Sequence, residues 1–193
     1  MSRLEALLFD VDGTLADTER GHLRAFNQAF ADAGLDWEWS VDLYRELLAV
    51  TGGRERIRHF VERYRPDFTP PEPLDAFIAG LHRAKTRHYV GLVDGGGLGL
   101  RPGVERLLRE ARAEGLRLAI ATTTTPDNVE ALLRNTLGAD AMDWFEVIGA
   151  GSVVPAKKPA PDIYHHVLER MGLAPAACMA FEDSGPGVRA ARA

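Results

Sequence analysis

The sequence predicts an α/β fold: a parallel sheet covered by helices, interrupted after its first strand by a run of helices. Two patterns predict it. From residue 100 onward helical and strand-like segments alternate, and before that four helical periodicities follow one another with no strand between them. A length of 193 residues suits one sizeable core with a small companion.

The first strand is the apolar run Leu4–Phe9, which enters a loop at Asp10-Val11-Asp12-Gly13-Thr14. Leu23, Phe26, Phe30 and Ala33 then repeat at helical spacing up to Gly34. Ser40 is placed to cap a second helix carrying Val41, Tyr44 and Leu48. A third carries Ile57, Phe60, Val61 and Tyr64. Pro70–Pro73 opens a fourth, with Leu74, Phe77, Ile78 and Leu81 on one face. Asp94–Gly99 reads as a loosely restrained glycine linker. Beyond it come a helix ending at Gly115, a strand at Leu116–Ala121, a helix stopping at Gly138, and a short strand at Val147-Ile148. A helix through Ile163 and Val167 and a strand at Cys178–Phe181 complete the alternation.

A net charge of −5 gives no general attraction to nucleic acid or to an anionic membrane, so anions must be held by local sites. Cys178 is the only cysteine, which excludes an internal disulfide and thiol-pair chemistry and fits a reducing cytoplasm. The N-terminal apolar run is too short for a signal peptide, and no stretch approaches membrane-spanning length.

Polar residues fall where strands end. Asp10 and Asp12 follow the first strand, Thr122 the second, Lys158 the third, and Glu182 and Asp183 the fourth. Strand C-termini of an open parallel sheet share one edge, where ligands bind, so these distant residues are expected in one pocket. Four carboxylates there cannot all stay ionised without a cation. Hard oxygen ligands suit Mg²⁺, which takes a few carboxylates plus substrate phosphate. Lys158 and Thr122 offer an ammonium and a hydroxyl to phosphate oxygens, and the amides before Pro126 add an anion-binding feature. A carboxylate nucleophile would split phosphoester hydrolysis into two easier steps, with Asp12 near enough to serve as acid and base. Taken singly, each residue has a plainer reading: a turn at Asp10–Gly13, a solvated Lys158, helix capping at Thr122–Thr125. Their shared position at strand ends favours the common site.

Asp10-Val11-Asp12-Gly13-Thr14, Thr122 after Leu118–Ala121, Lys158–Asp162 and Phe181–Ser184 resemble the four motifs of the haloacid dehalogenase superfamily. The resemblance covers essentially the whole chain. It implies a Rossmann-like core at 1–16 and 95–193 with an α-helical cap at 17–94. It further implies Asp10 as nucleophile and Asp12 as general acid and base. Mg²⁺ would be held by the Asp10 side chain, the Asp12 carbonyl and Asp183, with Glu182 nearby. Superfamily cores continue past the fourth strand, whereas this chain stops at Arg189–Ala193. A C-terminal truncation is therefore expected, with the last core strand missing and Cys178–Phe181 left as an apolar edge.

In the cap segment, Thr51-Gly52-Gly53-Arg54-Glu55-Arg56 combines free amides with two guanidinium groups and reads as a second anion site. The plainer alternative is a helix–helix turn. Asp17–Glu19, Asp36–Trp39, Tyr44–Leu48, Thr51–Ile57 and Arg101–Gly103 resemble the Calvin-cycle phosphatases acting on xylulose 1,5-bisphosphate. That likeness implies substrate contacts from Glu19 and the Gly52–Arg56 segment. Tyr44, His22, Thr123 and Thr124 complete the candidate substrate-binding set. Thr18 and His22 equally match β-phosphoglucomutases. Another sugar-phosphate or phosphoglycolate phosphatase, and a non-catalytic phosphate-binding protein, stay open. The expected partner is a small phosphorylated metabolite.

Other residues read as structural. His165 and His166 point in different directions, one to pack and one to be solvated. Cys178 is expected as a small buried hydrophobe, Trp37 and Trp39 as cap anchors, and Asp127 and Asp162 as first-turn helix charges. The paired connections at 16–18 and 94–99 suggest a cap that opens.

Overall fold

The computed structural model describes residues 3–193. Strands β1 (Ala6–Phe9), β2 (Arg117–Ala121), β3 (Val147–Gly149) and β4 (Cys178–Phe181) form one sheet in the order β3-β2-β1-β4. Every neighbouring pair is parallel, with Phe9 opposite Ile120 on one side and Phe181 on the other. The chain thus has the parallel α/β architecture that its alternating pattern predicts.

β1 shows why its sequence carries no polar position. Leu7 and Phe9 point into a cluster with Leu118, Ile120, Leu108, Val129 and Leu132, against α5 (Val104–Ala113) and α6 (Pro126–Leu137). Ala6 and Leu8 point the other way, into a cluster with Ala119, Ala121, Ile163 and Val167 on α7 (Asp162–Met171), and with Ala190 on α8 (Gly185–Arg192). A strand buried on both faces must be apolar at every position. Charge can enter only beyond its end, at Asp10.

Between β1 and α5 run α1 (Glu19–Asp32), α2 (Val41–Leu47), α3 (Gly53–Tyr64) and α4 (Leu74–Asp94). They close around their own aromatic core of Phe26, Phe30, Trp37, Trp39, Phe60 and Phe77. Trp37 and Trp39 meet the Phe30 ring edge-on at 5.5 and 5.0 Å. The Asn27 side chain donates to and accepts from the Trp39 backbone, at 2.9 Å each way. Ser40 caps α2 as expected, its Oγ accepting from Leu43 N–H at 3.2 Å. Ala25, Tyr89 and Val93 join this helical unit to Ala131 of α6.

Two expectations need correction. The glycine linker is wound up: the amides of Gly95, Gly96 and Gly97 bond to Gly91, Val93 and Leu92 carbonyls at 3.1, 2.9 and 3.0 Å. Leu98 then packs among the apolar residues between α1 and α4. The glycines therefore end α4 tightly, using the C-terminal carbonyls that a helix leaves free. Cys178 is half-buried, because β4 pairs with β1 on one side only among the described residues. On the same strand Met179 is 49% exposed. His165 is solvated and His166 half-buried, while Asp127 and Asp162 stand in the first turns of α6 and α7. No helix among the described residues is long and apolar enough to cross a membrane.

Candidate active site

The end of β1 delivers Asp10, 8% exposed, to a cleft of about 170 Å³. Its backbone N–H is still bonded to Phe181 O at 3.1 Å, so the sheet fixes the residue at its root. Lys158 reaches Asp10 from the segment between β3 and α7. Its Nζ donates to Asp10 Oδ1 at 3.0 Å and to Ala121 O at 2.8 Å, and it also pairs with Glu182. Tyr164 on α7 donates its hydroxyl to Glu182, holding that carboxylate against the ammonium. A Cβ at Gly187 would lie 1.7 Å from Glu182 Oε2, so α8 approaches from behind with no side chain in the way.

Asp10, Glu182 and Asp183 bring carboxylate oxygens within 4.8 Å of one another. Burial pushes the Asp10 carboxyl up to about 7; Lys158 opposes the rise, and Glu182 and Asp12 add to it. Burial also raises Asp183, against its own backbone hydrogen bond and Arg101. Glu182 Oε2 is buried with no hydrogen-bond partner among the described residues. Crowded carboxylates with an unpartnered acceptor suit a small hard cation, which would keep all three ionised. Gly13 closes this corner. Its φ is +81°, and a Cβ there would fall 2.0 Å from Asp183 Oδ2. Arg101 bonds the Gly13 carbonyl from the far side.

Asp12 lies two residues from Asp10 in a contrasting setting. Its Oδ1 is 2.8 Å from His22 Nε2, and His22 Nδ1 is 2.8 Å from Lys85 Nζ on α4. A lysine ammonium has only donors, so His22 Nδ1 accepts and the imidazole proton sits on Nε2, donating to Asp12. Burial, together with Lys85, lowers His22 to about 4 despite Asp12, which keeps the ring neutral at pH 7. Burial also lowers Lys85, to about 8. Asp12 itself is raised by burial, yet His22, with Lys85 behind it, outweighs that and holds it below the usual carboxylate range. Tyr89 stacks on His22 at 4.1 Å between ring centres.

Across the cleft, the helical unit contributes Glu19, His22, Leu48, Thr51, Gly52 and Arg56. An adjoining recess of about 50 Å³ shares several of these residues and Thr123, and adds Gly53, His82, Lys85, Thr124 and Thr125. Burial lowers His82 to about 3, with Lys85, Arg54 and Lys157 adding to the effect. Glu19 is raised by burial and by Asp12.

The expected residues divide clearly. Asp10, Asp12, Lys158, Asp183, Glu19, His22, Gly52, Arg56 and Thr123 line the cleft, and Gly53 and Thr124 line the recess. Thr122 sits beneath them, 1% exposed, its Oγ1 accepting from Thr124 N–H at 3.4 Å. Tyr44 stands behind Arg56, which donates to its hydroxyl at 3.2 Å. Arg54 is exposed and lines neither space. Glu55 pairs with Lys157 at 3.1 Å. An α3 starting at Gly53 turns successive side chains about 100° apart, so Arg56 can face inward while Arg54 faces solvent. Sequence reasoning overlooked Lys85, His82 and Lys157. For Lys85 a signal existed: it interrupts the stripe Ile78–Leu81–Lys85–Tyr89, all buried.

A caged carboxylate beside an ammonium, with a cation-ready cluster and an anion-friendly opposite wall, is chemistry for phosphate esters, and the class it defines is the phosphatases. Residues 4–193 match the haloacid dehalogenase-like hydrolases, and the chain belongs to that family. It is 54% identical over 190 residues to Protein CbbY, plasmid, of Cupriavidus necator, covering 98% of this chain and 75% of that one. The crystal structure of CbbY from Rhodobacter sphaeroides in complex with phosphate matches with a TM-score of 0.90 and 49% identity, over 98% of this chain and 82% of that one. A mutant of that protein in complex with xylulose-(1,5)bisphosphate gives the same figures. The putative β-phosphoglucomutase from Thermotoga maritima matches with a TM-score of 0.68 and 32% identity, over 98% and 81% of the two chains.

Proposed function

We propose that the protein is a magnesium-dependent phosphatase acting through an aspartyl phosphate on a small sugar bisphosphate in the cytoplasm, converting xylulose 1,5-bisphosphate to xylulose 5-phosphate. Residues 17–94 act as the cap, and residues 1–16 and 95–193 as the core. The observation that carries the reading is the seating of Asp10 between Lys158 and a carboxylate cluster, opposite a wall bearing Arg56 and the amides at Gly52 and Gly53. The complex of R. sphaeroides CbbY with the bisphosphate supports the choice of substrate.

The Asp10 side chain, the Asp12 carbonyl and Asp183 would hold Mg²⁺, with Glu182 beside them. The ion would supply positive charge to the phosphoryl oxygens. Lys158 neutralises Asp10 and aims one of its oxygens at phosphorus. As the Asp10–phosphorus bond forms, the ester P–O bond breaks, and Asp12 gives its proton to the leaving oxygen. The arriving phosphate is what loads that proton, since its negative charge raises Asp12 from its depressed state. Water then attacks phosphorus, Asp12 takes the proton back, and the Asp10 carboxylate is regenerated.

The test is phosphate release from xylulose 1,5-bisphosphate with and without Mg²⁺, beside an isomerisation assay on β-glucose 1-phosphate. Release from the first and no isomerisation of the second is expected. The reverse pattern would establish the mutase reading that the T. maritima likeness favours.

A further inference from the structure

We infer that Lys157 and Glu55 form a latch that holds the cap against the core beside the phosphate cleft, acting as positioning residues for the reaction. The inference rests on the reading of residues 17–94 as a cap.

Four observations carry it. The two residues are 102 positions apart, one in the core segment before α7 and one in the first turn of α3. Their 3.1 Å ion pair therefore ties the helical unit to the core at the cleft, away from the bridged connections at Ala16 and Leu100 and from the packing of Tyr89 and Val93 on Ala131. The pair lies directly against the cleft wall. A Cβ at Gly52 would be 2.2 Å from Glu55 Oε2 and 2.8 Å from Lys157 Nζ, and Gly52, at φ +99°, itself lines the cleft. Lys157 is also the chain neighbour of Lys158, whose ammonium is bonded to Asp10. Drawing Lys157 towards the cap thus sets the same segment that presents the catalytic ammonium. Finally, the pair is unevenly covered: the Lys157 side chain is 15% exposed and that of Glu55 45%. An ion pair open to water on one side is weak and salt-sensitive. A lid that must open at every turnover needs a fastening of that kind, since a strong one would trap product.

This assignment replaces the substrate contact expected of Glu55. It also accounts for Gly52 on grounds separate from anion binding, because any side chain there would displace both partners.

The experiment uses Glu55→Lys, Lys157→Glu and the double exchange, with Glu55→Gln as the mildest probe. Each single exchange should raise KM roughly two- to fivefold, the range of an exposed pair, with a smaller change in kcat. The double exchange should return KM towards the parent value. Hydrogen exchange at the Gly52–Arg56 amides, measured without substrate, should quicken in the single variants and slow again in the double. Added salt should raise KM in both proteins, and more steeply in the parent than in Glu55→Gln. Unchanged KM and exchange in the single variants, or a double exchange no better than either single, would overturn the latch. The exchange readout needs no turnover. Protection that follows charge pairing in a protein inactive on every phosphate ester would keep the latch and discard the proposed activity.

Discussion

The two walls of the cleft hold their charges by different means. On the core wall, Asp10 and Lys158 are nearly covered, and each is anchored to a strand: Asp10 N–H to Phe181 O, Lys158 Nζ to Ala121 O. On the helical wall, two cations, Arg56 and Lys85, face one carboxylate, Glu19. Arg56 leans on the Leu47 and Val50 carbonyls and on Tyr44, Lys85 stands behind His22, and burial leaves His82 uncharged at pH 7. The core wall carries more carboxylates than the one ammonium of Lys158 can match, which suits a cation, whereas the helical wall has more positive charge than its one carboxylate offsets. A ligand with a phosphate at each end could place one on the helical wall and the other beside Lys158 and a cation. Asp12 is the member of the core wall that takes its acidity from the opposite side, through His22 and Lys85.

The comparison can be broken first at its strongest point. Asp10→Asn should lower kcat by roughly 10⁴-fold or more, as loss of a nucleophile does, in single-turnover phosphate release. The same variant reports on stability. Because the folded pKa of Asp10 is raised to about 7 from 3.8, the folded state binds the extra proton between those values, and stability falls as pH rises through that window. In magnesium-free buffer Asp10→Asn should therefore raise Tm at pH 8 and leave it nearly unchanged at pH 4. Mg²⁺ should raise the parent's Tm at pH 8 and have less effect on the variant.

Removing the metal comes next. Chelation should abolish turnover and Mg²⁺ restore it, and Gly13→Ala should need far more Mg²⁺ for half-maximal rate because its methyl group displaces Asp183. A third measurement probes the reach across the cleft. Lys85→Met should cut kcat roughly tenfold, within the range that a misplaced acid–base group costs. Losing Lys85 frees His22 Nδ1 and raises Asp12, so the basic limb of kcat/KM, where the acid loses its proton, should move to higher pH. An unmoved limb would show that Asp12 is set by the core alone. Arg56→Ala gives the smallest effect of the series: KM for a bisphosphate should rise several-fold, and KM for a monophosphate should change less.

The core wall was legible in the sequence because its logic is topological. β1 is an uninterrupted apolar run, so the carboxylates after it must stand at a strand end, and Lys158 and Asp183 follow strands in the same sheet. The helical wall was legible only in part. Gly52, Gly53 and Arg56 fall where the glycine-arginine pattern suggests, but spacing alone could not say which face of α3 meets the core, so Arg54 and Glu55 read as equivalents of Arg56. Lys85 was hidden by the reverse effect, since a lysine in an amphipathic helix reads as a solvated rim unless its partner on another helix is known. Thr122 was drawn to the surface by its motif, whereas the turn before α6 puts Thr123 forward and folds Thr122 under it. The glycines after α4 read as slack because composition does not reveal the hydrogen bonds they complete.

The contact of Gly187 with Glu182 carries one more lesson. With the carboxylate pressed to where a methyl group would otherwise sit, α8 works as a backstop for the Lys158 ammonium, by way of the acid between them. Crowding there by a single carbon should press Glu182 towards Lys158 and Lys158 towards Asp10, so that a change at a residue outside the cleft reaches the cleft itself.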